Sequence, residues 1–159
     1  MAEKWIGIVV SGDKAVVVQL EFQDDDTVIL LNETTWKLQQ GEKPRAFGVM
    51  YKTVLDYVNE SGVQRVVIKG SSAGAKGTGG LPHLHSAELR GAVIAAVANT
   101  SAQVEIWTKS RLSKNVGKRN VDAYVDDDNF WEERFDSAKL KKGSREAALL
   151  VLGVKKHDK

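Results

Sequence analysis

The hydrophobic pattern of this chain first changes period at Pro44, and that change does most to limit what the chain can fold into. Before it, the apolar residues come in compact β-rich runs. Trp5 to Val10 is followed by Ser11-Gly12-Asp13-Lys14 and then by Ala15 to Phe22, two strands joined by a short glycine-containing turn. Asp24-Asp25-Asp26 marks a second turn, where carboxylates can accept from nearby backbone N–H groups, and Thr27 to Leu31 reads as a third strand. After Pro44, Phe47, Met50, Tyr51, Val54, Leu55 and Val58 recur at spacings of three and four, a helical stripe that Ser61-Gly62 ends. Val63 to Ile68 is too short and too β-branched for a helix, so the chain must cross over to a parallel strand.

Glycine at 70, 74, 77, 79 and 80 leaves the next stretch unable to hold a regular helix or strand, and a loop is expected there. Ser86 to Asn99 reads as an alanine-rich packed helix and Val104 to Trp107 as a strand. Thr108 to Asn120 is polar and basic, and Asp122 to Arg134 can carry a short helix. Ser144 to Gly153 reads as a final helix ended by its glycine. The predicted fold is α/β: a mixed five-stranded sheet, its first three strands antiparallel, with helices on both faces, in the order β-β-β-α-β-α-β-α. At 159 residues and without internal repeats, the chain is expected to form one domain over 1–159.

Charge and cysteine content narrow the function classes. Lys+Arg 23 against Asp+Glu 21 gives a net charge of +2, too balanced for a general polyanion trap, so any nucleic-acid contact must be a local patch. With no cysteine, disulfides, zinc–thiolate sites and thiol catalysis are excluded by inventory. No apolar run approaches the roughly 20 residues that span a bilayer, and Met1 to Trp5 lacks a secretory profile, so a soluble cytoplasmic protein with no membrane partner is expected.

Four pieces of the chain resemble the RuvC branch of the ribonuclease H-like superfamily and its small bacterial relatives. They are Ile6-Gly7-Ile8-Val9 before the hairpin, Val66-Val67-Ile68-Lys69-Gly70 before the glycine loop, Trp107-Thr108-Lys109-Ser110-Arg111-Leu112, and Gly143-Ser144-Arg145-Glu146-Ala147-Ala148-Leu149 opening the last helix. The resemblance implies hydrolysis of phosphodiesters by two Mg²⁺ ions about 4 Å apart, held by carboxylates from the first strand, the fourth strand and the last helix. It also implies homodimerisation.

The implied ligand positions depart from that chemistry. The first-strand carboxylate falls on Val9, which has no donor atom. The fourth-strand carboxylate falls on Lys69, whose ammonium repels a cation. On the last helix the outer acid falls near Gly143 and the inner one on Glu146, the single carboxylate left. No Asp or Glu occurs from Trp5 to Gly12 or from Val63 to Gly80, so a shifted alignment restores nothing. No catalytic residue and no cofactor are therefore expected. The alternative is a Mg²⁺-dependent nuclease with relocated acids, in which Glu146 is joined by Asp13 and by Asp122 or another acid from Asp122 to Asp128.

Other residues carry possible binding roles, each beside a plainer one. Lys69 and Lys76 with the glycine loop can hold a phosphate, or the loop can be a simple connection with solvated lysines. Lys109, Arg111, Lys114, Lys118 and Arg119 form a run without an acid that can neutralise a DNA or RNA backbone, with Trp107 as a stacking face, or a basic turn balanced by Asp122 and Asp126-Asp127-Asp128. The acids from Asp122 to Asp136 suit a solvated face better than a metal site. His83 and His85 with Glu88 read as packing or capping rather than metal ligands, and Ser11, Ser71 and Ser72 lack the elbow that activates a serine nucleophile. Trp36 and Trp131 can contact a protein partner or pack under loops. The sequence thus points to a scaffold that binds nucleic acid or a protein.

Overall fold

The structure is a computed structural model that describes residues 2–71, 80–135 and 140–159. β1 (Glu3–Ser11) and β2 (Lys14–Phe22) pair antiparallel from Glu3 opposite Phe22 to Ser11 opposite Lys14, and Gly12 turns the chain with φ +61°. β3 (Val28–Lys37) pairs antiparallel with β2 and runs on past Leu31, where the sequence pattern suggested an end. The reason is position: β3 is an edge strand with one face to solvent, so Asn32, Glu33, Thr34 and Thr35 extend it at no cost in buried polarity. Trp36 accordingly belongs to a strand and packs edge-on against Tyr57, ring centroids 5.1 Å apart.

α1 (Lys43–Ser61) ends in Gly62, whose left-handed φ of 62° closes the helix, and leads to β4 (Arg65–Lys69). α2 (Leu81–Ala98) leads in turn to β5 (Gln103–Trp107). β4 lies parallel to β1 and β5 parallel to β4, giving the order β3-β2-β1-β4-β5. The predicted mixed sheet is therefore the observed one. Ile6, Ile8 and Val10 of β1 face α1 and α2, and the alternate residues Trp5 and Val9 face the other layer, so each side of the sheet has its own core.

That other layer is built by α3 (Lys109–Asn115), α4 (Val121–Val125), α5 (Asp128–Arg134) and α6 (Lys142–His157). Thr108, Asn120 and Asp127 cap α3, α4 and α5 by accepting from the backbone N–H of Arg111, Ala123 and Phe130, which is why this segment is so polar in sequence. α6 lies directly on β1 because Gly7 presents no side chain; an added Cβ there would overlap the carbonyl oxygen of Ala147. Gly153 does not end α6. It stands inside the helix, where a Cβ would press into Leu112 of α3, and the helix continues to His157.

Candidate functional site

Register brings the site together. Ile8 pairs with Ile68, so Val9 and Lys69 follow side by side at the C-terminal ends of β1 and β4. Val9 shares the α6 side with Val67, and Lys69, two residues beyond Val67, falls on the same side. Gly7 seats α6 at this point, which places Glu146 over the strand ends. The Lys69 ammonium lies 2.6 Å from Glu146 Oε1, both side chains being three-quarters or more buried.

Val9, Lys69, Gly143 and Glu146 line one cavity of about 430 Å³ together with Arg90, Lys142, Ser86, Ser71 and His83. Arg90 and Lys142 are functional candidates that sequence reasoning missed. The Arg90 guanidinium donates to Ser71 Oγ and to the Val10 carbonyl, and its buried Nε has no partner among the described residues. Burial pushes the guanidinium below its ordinary pKa. The available signal was a lone cation in an apolar, alanine-rich helix. Lys142 also reaches Asp126 Oδ1 at 3.0 Å.

The donor set does not suit a pair of divalent ions. Three cationic side chains, Lys69, Arg90 and Lys142, line the cavity against the single carboxylate of Glu146, and Lys69 already occupies one of its oxygens. Mg²⁺ needs several hard oxygen ligands, and a valine side chain offers none. Asp13 and Asp122 do not join Glu146: among the described residues no three His, Asp or Glu side chains gather as a metal-holding group. Asp13 is exposed in the β1–β2 turn, and Asp122 chelates Lys109 through both oxygens at 2.8 and 2.9 Å. The lining combines three cationic side chains with serine residues, groups of the kind that hold an oxyanion.

The basic run does not line this cavity. Lys109 pairs with Asp122. Arg111 lies 4.0 Å above the Trp107 ring, and Arg119 pairs with Asp127 at 2.9 Å while stacking on Tyr124. Lys114 and Lys118 border a shallow hollow with Lys156 and His157. Trp107 is fully buried, so it offers no stacking face to a base; burial beneath Arg111 accounts for its place in the sequence. Trp131 is equally buried, its indole N–H donating to the Tyr124 carbonyl at 2.8 Å, which removes it as a partner contact. Asp126, Asp127 and Asp128 pair with Lys142, Arg119 and Arg145, so much of the acidic segment is tied to neighbouring cations.

His83 and His85 lie in the first turns of α2, where a spacing of two sends them to different faces, and His83 alone of the pair reaches the cavity. Ser11 and Ser71 also line the cavity, and among the described residues no histidine or carboxylate hydrogen-bonds to either. Lys76, Ser72 and Asp136 lie outside the described residues.

A β-β-β-α-β-α-β order, a mixed sheet 3-2-1-4-5 and a last helix laid across β1 define the ribonuclease H-like fold. Within it, the chain has the fold of RuvC and other Holliday junction resolvases. Thermus thermophilus RuvC, in a structure with its Holliday junction substrate, superposes with TM-score 0.75 and 12% identity over 98% of this chain and 94% of that one. The yeast mitochondrial Holliday junction resolvase gives TM-score 0.61 and 11% identity, covering 95% of this chain and 78% of that one. The fowlpox virus resolvase gives 0.59 and 8%, covering 95% and 97%. No family model matches the sequence, and no curated protein matches it.

Proposed function

We propose that this chain is a non-catalytic RuvC-like protein that binds the phosphate backbone of nucleic acid at the cavity formed by Val9, Lys69, Arg90, Lys142 and Glu146. The observation that carries the reading is the 2.6 Å ion pair of Lys69 and Glu146 beside the apolar Val9. The resolvases from Thermus thermophilus and fowlpox virus are known in complex with Holliday junction DNA, which favours nucleic acid as the ligand of a like fold. One implied carboxylate position holds a lysine that Glu146 neutralises, and Arg90 and Lys142 add two more cations to the lining, so the same end of the sheet suits an anion better than a divalent cation. A phosphate there would meet the Arg90 side chain and Lys142, both of which line the cavity. Lys109, Arg111, Lys114, Lys118 and Arg119 lie farther along the same polypeptide layer and would add weaker, screened attraction.

The test is fluorescence anisotropy with labelled four-way junction, duplex and single-stranded DNA and with RNA over a salt series, beside a cleavage panel in Mg²⁺ and Mn²⁺. Affinity that falls steeply with salt, without cleavage, supports the reading. Absence of affinity for every polymer at low salt overturns it and leaves a protein partner as the ligand class to pursue.

A further inference from the structure

A second cavity, larger at about 710 Å³, shares no lining residue with the first. It lies between the C-terminal half of α6, the α3–α4 connection and the end of β2. Part of its lining is aliphatic and aromatic: Leu149 and Leu152 from α6, Val28 and Phe130. These side chains offer burial and dispersion and no hydrogen bonds. The rest of the lining is different. Six cations line the cavity against one carboxylate, Asp26. Three of them are spoken for: Lys155 by Glu3, Arg119 by Asp127 and Lys159 by Asp26. Lys118, Lys156 and Arg134 have no carboxylate partner among the described residues, and Arg134 is held over the Phe130 ring at 4.5 Å.

We infer that this cavity binds a small amphipathic anion, with an apolar ring or short aliphatic body against Leu149 and Leu152 and a phosphate or similar dianionic head between Lys118 and Lys156. Size favours a small molecule over a polymer. The volume lies within the roughly 300–1,000 Å³ typical of small-ligand sites, and the α6 floor from Leu149 to Lys156 spans about 10 Å at 1.5 Å per residue. Charge favours an anion, since a neutral apolar ligand would leave unused the three cations that have no carboxylate partner among the described residues. A bare phosphate would leave the apolar floor unused.

The probe is 1-naphthyl phosphate, titrated into the full-length protein by calorimetry, with 1-naphthol, inorganic phosphate and adenosine monophosphate as separate arms. We expect saturable one-to-one binding of naphthyl phosphate, at least tenfold tighter than naphthol or phosphate alone, and tighter than the nucleotide because the floor has nothing to read a base edge. The double variant K118E/K156E should weaken it at least tenfold, and Leu152→Trp, which fills the floor without altering charge, should do the same. Circular dichroism confirms that each variant folds, and Arg134→Gln serves if the double variant does not. No saturable heat, equal affinity for inorganic phosphate, or affinity unmoved in the variants overturns the inference. So does binding of an acidic peptide bearing a phenylalanine when naphthyl phosphate fails, an outcome that makes the cavity a protein-docking site.

Discussion

Lys69 and Glu146 meet across the end of β4 and the first turns of α6, Nζ to Oε1 2.6 Å, each with most of its side chain withdrawn from water. The contact joins the sheet to its covering helix, and it satisfies a carboxylate that would otherwise stand partly buried and alone. An ion pair in that place is a structural bond and an electrostatic statement at once: the charge at the strand ends is neutralised from within the protein.

Removing one partner should cost more than removing both. Lys69→Ala leaves the Glu146 carboxylate unpaired and should lose about 2 kcal/mol of stability, whereas adding Glu146→Gln should recover part of that loss. Urea unfolding of the two single variants and the double variant closes the cycle, with a coupling of about 1 kcal/mol expected.

Gly7→Ala should be among the most damaging single-methyl additions in the chain. The new Cβ would overlap the backbone oxygen of Ala147, so α6 must lift from β1, at a cost of about 3 kcal/mol. Urea midpoints measure the loss, and an alanine at exposed Gly91, where nothing stands within 4 Å, provides the comparison.

The far end of α6 is held by charge, and acid should release it. A hydrogen bond from Arg65 keeps the Asp158 carboxyl below its ordinary pKa, and one from Lys155 does the same for Glu3. A carboxyl depressed in the folded state contributes stability above its unfolded pKa, near pH 4, and loses it as pH falls through the folded value. The Tm should therefore drop between about pH 5 and pH 2. Asp158→Asn should start from a slightly lower Tm and show a smaller drop over the same window.

Arg90→Ala and Lys142→Ala should weaken nucleic-acid binding to a similar degree for every sequence, each lowering the slope of log affinity against log salt by about 1. Lys114→Ala, at a hollow removed from the first cavity, should change it less.

The sheet and its first two crossovers were legible because burial there is written in apolar periodicity: Ile6, Ile8 and Val10 on one face, Met50, Val54 and Val58 against them. The apolar pattern of β3 stops short of the strand's end because half of an edge strand is solvated and need not be apolar. α3 to α5 were hard to resolve because they are held by caps and ion pairs, Thr108, Asn120 and Asp127 among them, which leave no stripe in so few turns. Gly153 resembled a helix stop, yet its missing side chain serves the contact with Leu112. At the site, Lys69 and Glu146 could be named from sequence position along the strands and last helix. Arg90 could not, because its meaning depends on a crossover helix returning its side chain to Val10 across 80 residues.

The most direct measurement of the central proposal, that the strand ends do not host divalent ions for hydrolysis, is a cleavage assay on junction, duplex and single-stranded DNA and on RNA in Mg²⁺ and Mn²⁺, run on the parent chain and on Glu146→Gln. We expect both proteins to leave every substrate intact. Cutting of any substrate by the parent that Glu146→Gln abolishes would contradict the claim.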